Sequence, residues 1–300
     1  MKIRADKPKT KAMVFAGCSF TWGQGLWYYS NIDSLQEDGN YGYNAAMHGV
    51  VHHAFREKWR WPTIVADHFN TVPITHYENG GANDQIVEFW KGSFSHPRPY
   101  KVRSFNEINK TCLTTPIHEG EVSHFVFQFT QWWRSYFTIT TNTGETLTKS
   151  VQELSHPTGP FKQYWEDWFE NRCDLQGNFN SPKMGVLHET IMRRDVETVK
   201  SFLQTLEGKG IKTSIWCWPF ELIQFIESDP WLKERFITFD YKGKNWKCLE
   251  QLLADNKQDG LTLETDTEYF EVPPADQHPS LKCHRLIADT VIKHIERQNG

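Results

Sequence analysis

KAMVFAGCSFTWGQG, residues 11–25, is the stretch that decides the fold class. A short apolar run, Lys11 to Ala16 (KAMVFA), stops at Gly17 and opens into a segment bounded by Gly17, Gly23 and Gly25. That pattern is a strand running into a tight, glycine-bounded turn. Further strands are expected at 71–77 (TVPITHY), 124–130 (HFVFQFT) and 211–218 (IKTSIWCW), with a short strand or turn at 235–239 (RFITF). Between them lie helical patterns. Pro62 suits a first helical turn for 61–69, where Ile64, Val65 and His68 share a face. Asn83 or Asp84 caps a helix reaching Trp90, with Ile86 and Val87 at helical spacing. A long helix spans about 181–207 and ends at Gly208 and Gly210. Shorter patterns follow at 249–255, and after Ser280 through Ile292 and Ile295.

Strands alternating with helices predict an open α/β sheet, mostly parallel, and ligands in such folds sit at the carboxyl ends of the strands. Three stretches fall outside the alternation. Residues 24–57 read as an irregular excursion and 91–120 as loop. Residues 135–182 read as a mixed insertion, with a hairpin at 138–148 and an amphipathic helical piece at 160–172. The 300 residues therefore form one domain, of which a sheet-and-helix core needs roughly two-thirds.

Composition narrows the function classes. Lys and Arg number 33 against 37 Asp and Glu, so the formal net charge is −4 and broad attraction to nucleic acid or anionic membrane is not expected. Mean hydropathy is −0.61, and no run approaches the ~20 apolar residues of a membrane span. The polar start, MKIRADKPKT, leads into the first strand and not into a signal-peptide cleavage site, so cytoplasmic synthesis is expected. Six scattered cysteines without a CxxC pair argue for reduced, buried thiols and against a zinc site. His48, His52 and His53 read as a solvated loop, because adjacent histidines cannot easily face one ion. No metal or cofactor is expected. Aromatics reach 14%, with 13 Trp and 20 Phe; they read as walls of a site able to stack on sugar rings, in place of an oversized core.

Four segments carry candidate chemistry. Ser19 lies between Gly17 and Gly23, where a hydroxyl can project from a sharp turn and its own N–H can face an oxyanion. Cys18 is the neighbouring thiol, but adjacent strand-exit residues point in different directions, and Cys18 is expected to pack under the sheet. Gly80-Gly81-Ala82-Asn83 permits close backbone approach and an oxyanion N–H. Thr130, Gln131 and Arg134 offer hydroxyl, amide and guanidinium donors after the third strand. Asp276-Gln277-His278-Pro279 places a general base and a carboxylate just ahead of the last helix. Each segment alone also reads as an ordinary turn, cap or salt bridge.

Taken together, the four resemble the SGNH (GDSL-like) hydrolase superfamily. The first block is Gly17, Ser19, Thr21 and Gly23; Gly81 resembles the second-block glycine; Asp276 and His278 resemble the late block before the last helix. Cys18 after the first glycine, with Gly-Gly-Ala-Asn in the second block, looks like a divergent branch, some of whose members sit in tailed-phage genomes. The resemblance implies a flavodoxin-like three-layer α/β/α sandwich enlarged by loop insertions. It implies Ser19 as nucleophile, His278 as base and Asp276 as its orienting acid, with the N–H groups of Ser19 and Gly81 as oxyanion donors. The family's Gly-x-Asn-Asp block is missing after the third strand, where Thr130, Gln131 or Asn83 would supply the donor. The acid usually stands three residues before the histidine; here that position is Ala275, and Asp276 needs a more extended loop to reach it.

The implied activity is ester hydrolysis or carbohydrate O-deacetylation through an acyl-serine, on a small-molecule or glycan ester. The alternative is a catalytically weak or inactive member of the fold that holds glycan, for instance as a virion component. An acyltransferase ranks last, since no glycine-rich loop for coenzyme A is present.

Overall fold

The computed structural model describes residues 11–30, 50–75, 82–95, 100–106, 111–117, 121–140, 146–150 and 182–300. Strand β1 (Ala12–Ala16) leads into the one-turn helix α1 (Ser19–Trp22). Helices α2 (Val50–Trp59) and α3 (Trp61–His68) precede β2 (Val72–Thr75), and α4 (Asn83–Ser95) follows it. Two hairpins, β3 (Tyr100–Asn106) with β4 (Thr111–Ile117) and β6 (Tyr136–Thr140) with β7 (Thr146–Ser150), flank β5 (Val122–Phe129). Helix α5 (Pro182–Gly208) leads to β8 (Lys212–Cys217), then to α6 (Ile223–Ser228) and α7 (Pro230–Arg235). The hairpin β9 (Phe239–Tyr241) and β10 (Lys244–Trp246), α8 (Leu249–Asp255) and α9 (Leu281–Asn299) complete the order.

The core is a four-stranded parallel sheet in the order β2-β1-β5-β8. All five residues of β1 are buried, which is what a strand covered on both faces requires. Ala12, Val14 and Ala16 share one cluster with Trp90 of α4 and Val199 of α5; Met13 and Phe15 share the other with Trp61 of α3 and Ile287 of α9. Helices therefore cover both faces, compatible with three layers. Pro73 has no N–H to give and sits on β2, an edge strand of this sheet. Among the described residues no helix is long and apolar enough to cross a membrane.

The chain leaves β1 for β2 on one side and returns to β5 on the other, so the strand order reverses between β1 and β5. That switch point is where an open α/β sheet leaves a crevice at the strands' carboxyl ends.

Several expectations need correction. The excursion at 24–57 contains the helix α2, and His52 and His53 lie on it, not in a loop. The stretch 91–120 holds the end of α4 and the β3–β4 hairpin: YKVRSFN and TCLTTPI alternate polar residues with apolar and β-branched ones, a pattern the loop reading passed over. The helical piece expected at 160–172 lies outside the described residues. Among the described residues many aromatics are core. Trp61, Trp90 and Trp216 are fully buried, and Phe15, Trp61, Trp216 and Phe239 make successive edge-to-face contacts 5.1–5.8 Å apart. Such contacts add to area burial, and wide rings let a thin sheet fill its two interlayer spaces.

Candidate active site

The exit of β1 carries the Ser19 turn. Cys18, extended at φ −94°, ψ −155°, ends the strand, and Ser19 opens α1, whose first N–H groups have no intrahelical carbonyl to meet. Gly17 is required by crowding: a Cβ there would stand 2.3 Å from Thr21 Oγ1 and 2.5 Å from Gln128 Oε1. Gln128 of β5 is fully buried and clamps the turn from beneath. Its Oε1 accepts from Thr21 Oγ1 at 2.5 Å, and its Nε2 donates to Cys18 Sγ at 3.0 Å. Cys18 thus packs into the core cluster beneath the turn, with its Sγ also 3.9 Å from the Ser19 hydroxyl.

The facing histidine comes from the stretch ahead of α9. Ser19 Oγ lies 3.0 Å from His278 Nε2, and His278 Nδ1 lies 2.5 Å from Asp276 Oδ1. The two-residue spacing has a simple account. The Asp276 carboxylate folds back as an Asx turn, accepting the backbone N–H of His278 at 2.9 Å as well as its ring N–H. A carboxylate only accepts, so Nδ1 carries the proton and Nε2 is left to accept from the Ser19 hydroxyl. Burial pushes the Asp276 carboxyl up, but the hydrogen bonds and charge of His278 outweigh it and hold the group below the ordinary carboxylate value. It is therefore ionised at neutral pH.

The loop is held as firmly as the turn. Leu263 N–H donates to His278 O (3.0 Å), Glu264 N–H to Asp276 O (2.9 Å) and Ser280 N–H to Leu261 O (3.0 Å). Tyr29, from the start of the first excursion, donates to Asp266 Oδ2 at 2.5 Å and accepts Leu281 N–H at 3.3 Å, tying α9 to the same loop. Gly25, at φ 88°, passes so close that a Cβ would meet Leu263 at 2.2 Å and His278 at 3.5 Å. Phe20 sets its ring edge-to-face with His278 at 5.3 Å and with Trp218, at the exit of β8, at 4.1 Å.

The remaining expected residues divide. Gly81 lies outside the described residues. Asn83 is fully buried and committed: Oδ1 accepts Thr130 N–H at 2.8 Å, while Nδ2 donates to Thr130 O at 3.1 Å and Asp195 Oδ2 at 3.2 Å. The expectation of Asn83 as a ligand donor is therefore corrected, because its amide is spent on joining α4 to the exit of β5. Thr130 is also fully buried, and its hydroxyl accepts from Arg134 Nη1 at 3.4 Å. Gln131 is half-buried in the same exit, and Arg134 lies over the Trp133 ring at 5.6 Å. Asp266 and Asp195 were not singled out by sequence reasoning, while Gln128, Phe20 and Tyr29 lay in segments that were, but without these contacts. Only the buried-strand setting of Gln128 carried a signal, as a polar residue within an apolar run.

Among the described residues no cluster of His, Cys, Asp and Glu could hold a metal ion. Cys18, Cys217, Cys248 and Cys283 are free and buried, and burial pushes the Cys248 thiol up to about 11 and the Cys217 thiol further. Those two are poor nucleophiles. No protein-family model, curated protein or solved structure matches the chain.

Proposed function

We propose that the protein is a serine hydrolase of the SGNH type, an esterase or carbohydrate O-deacetylase working through an acyl-serine. The observation that carries this reading is the unbroken relay from Ser19 Oγ through His278 to Asp276 at the β1/β5 switch point. Ser19 Oγ attacks the ester carbonyl carbon as His278 Nε2 takes its proton. The carbonyl oxygen becomes an oxyanion, received by the Ser19 N–H and, by resemblance, the Gly81 N–H. Collapse breaks the C–O bond to the alcohol, which leaves with the proton from His278. Water then attacks the acyl-serine, again losing its proton to His278, and the free acid departs with Ser19 restored. Asp276 keeps the ring in the productive tautomer and offsets the imidazolium charge.

A fluorophosphonate probe and p-nitrophenyl acetate test the assignment together. Wild-type protein is expected to be labelled at Ser19 and to hydrolyse the ester. Ser19→Ala is expected to lose both while melting within a few degrees of wild type. Retained turnover in Ser19→Ala would remove Ser19 from the mechanism.

A second reading, a glycan-holding protein without turnover, is favoured by one observation. The Asn83 amide is consumed by Thr130 and Asp195, leaving Gln131 as the side-chain amide near the β5 exit. Absence of labelling together with glycan binding would select it.

A further inference from the structure

Asp195 lies in the middle of α5 with no exposure, in a helix face whose neighbours Ile191, Met192, Val196 and Val199 pack into the core. A carboxylate there costs free energy that an apolar side chain would not, so its partners show what it does. Its Oδ2 accepts from Asn83 Nδ2 at 3.2 Å and, by a short bond, from Ser135 Oγ. Its Oδ1 faces Arg194 Nη2 at 3.2 Å, and the same guanidinium reaches Asp84 Oδ2 at 3.6 Å. Asn83 in turn holds both backbone groups of Thr130. One buried carboxylate therefore joins three elements: the first residue of α4, the β5 exit from Thr130 to Ser135, and α5.

The β5 exit flanks the nucleophile turn. Ala16 of β1 pairs with Phe127 of β5, and Gln128, the next residue, touches Cys18 and Thr21. In sequence, α4 follows Gly80, Gly81 and Ala82. Asp195 itself has no contact with Ser19, His278 or Asp276 in this arrangement. We propose that Asp195 is a positioning residue for the hydrolase: through Asn83 and Ser135 it fixes the β5 exit against the start of α4, and so holds the wall beside the Ser19 turn. This rests on the serine-hydrolase reading above.

The role separates from that of the relay, because the two halves of the site are anchored by different groups. Asp276 and the 261–264 stretch hold His278; Asp195 holds the wall beside Ser19. Asp195→Leu removes both acceptors, whereas Asp195→Asn keeps an oxygen that can accept from Asn83 and Ser135. The charged and titratable groups facing position 195 are Arg194 on its own helix and Asp84 on α4, with Ser135 and Asn83 as neutral partners.

The test is ester hydrolysis with the full chain, read as kcat and KM separately, beside the low-field NMR signal of the His278 Nδ1 proton. Asp195→Leu is expected to lower kcat about 100-fold with KM within about threefold, the size of losing one oxyanion donor. The His278 signal is expected to persist, and Asp195→Asn to recover kcat to within about fivefold of wild type. If Asp195→Leu does not fold, Ser135→Ala deletes a single hydroxyl and is expected to lower kcat about tenfold by the same route. Wild-type kcat in whichever variant folds, with Ser19 still labelled by fluorophosphonate, overturns the positioning role and leaves the hydrolase standing. Loss of the His278 signal in Asp195→Leu or Ser135→Ala also overturns it, since the relay would then have moved. Wild-type protein inert to both ester and probe overturns the hydrolase reading and the positioning role with it.

Discussion

Asp276→Asn is the sharpest single perturbation of the site. The carboxylate contacts the ring nitrogen at 2.5 Å and its side chain is 14% exposed, so solvent screens it little. Asparagine retains an oxygen for the His278 backbone N–H, and the Asx turn therefore survives. What is lost is the negative charge beside the imidazolium that forms as Ser19 attacks. Two unit charges about 4 Å apart at an effective dielectric of about 20 attract by about 4 kcal/mol. At about 1.36 kcal/mol per tenfold, that is a loss of about 10³ in kcat. Both bonds meet Oδ1, so an amide turned to present its NH₂ to the ring would favour the wrong tautomer at the expense of the Asx turn, which extends the loss toward about 10⁴. KM is expected to stay within a few-fold, because the carboxylate touches histidine and not substrate. Steady-state hydrolysis of p-nitrophenyl acetate, with a thermal melt to show the fold intact, measures both. A kcat within tenfold of wild type, in protein still labelled at Ser19, would show that Asp276 does not orient the base.

Gly25→Ala is expected to cost about 1–3 kcal/mol of stability, since it places a Cβ at φ 88° and 2.2 Å from buried Leu263. It should also lower kcat, because Leu263 N–H holds the His278 carbonyl; denaturant titration and turnover read the two effects. Asp195 makes a signed prediction about pH. Burial raises its carboxyl from 3.8 to about 6, against the opposing hydrogen bonds of Ser135 and Asn83. The folded state therefore holds this proton more tightly than the unfolded chain, and the group's contribution to stability falls as pH rises through that window. The penalty is absent below about pH 4 and complete near pH 7, where it amounts to about 3 kcal/mol. The stability difference between Asp195→Asn and wild type should grow across that interval in urea melts; a flat difference would contradict the assignment.

How far the chain is legible from its residues varies by element. The strands of the sheet were readable where they are buried on both sides: AMVFA is a continuous apolar run, and FVF between His124 and Gln128 is another short one, both suited to central strands. The end of α5 was readable because Gly210 takes the left-handed conformation at φ 82° that closes a helix. The hairpin of β3 and β4 was missed, since the alternation of Tyr100 to Arg103 lapses at Ser104, Pro116 interrupts β4, and no Asn-Gly or Asp-Gly turn announces it. In the site, Ser19 and His278 were legible from their turns. The geometry that lets Asp276 work at two residues was not, because an Asx turn depends on where Leu261 to Glu264 lie in space. Asn83 was misread for a similar reason: an amide beside a glycine pair looks free in sequence, and only the β5 exit shows what occupies it. The aromatics mislead by number. Their count says nothing of direction, and Trp61, Trp90 and Trp216 all turned inward.

The hydrogen bond between Ser19 and His278 spans 259 residues of sequence. Contacts so distant along the chain are costly to close and form late. Ser19 follows the first strand of the sheet, while His278 sits on the loop just ahead of α9, whose Ile287 and Val291 pack with Met13 and Phe15. On the hydrolase reading, turnover would therefore report a chain in which the last helix has docked.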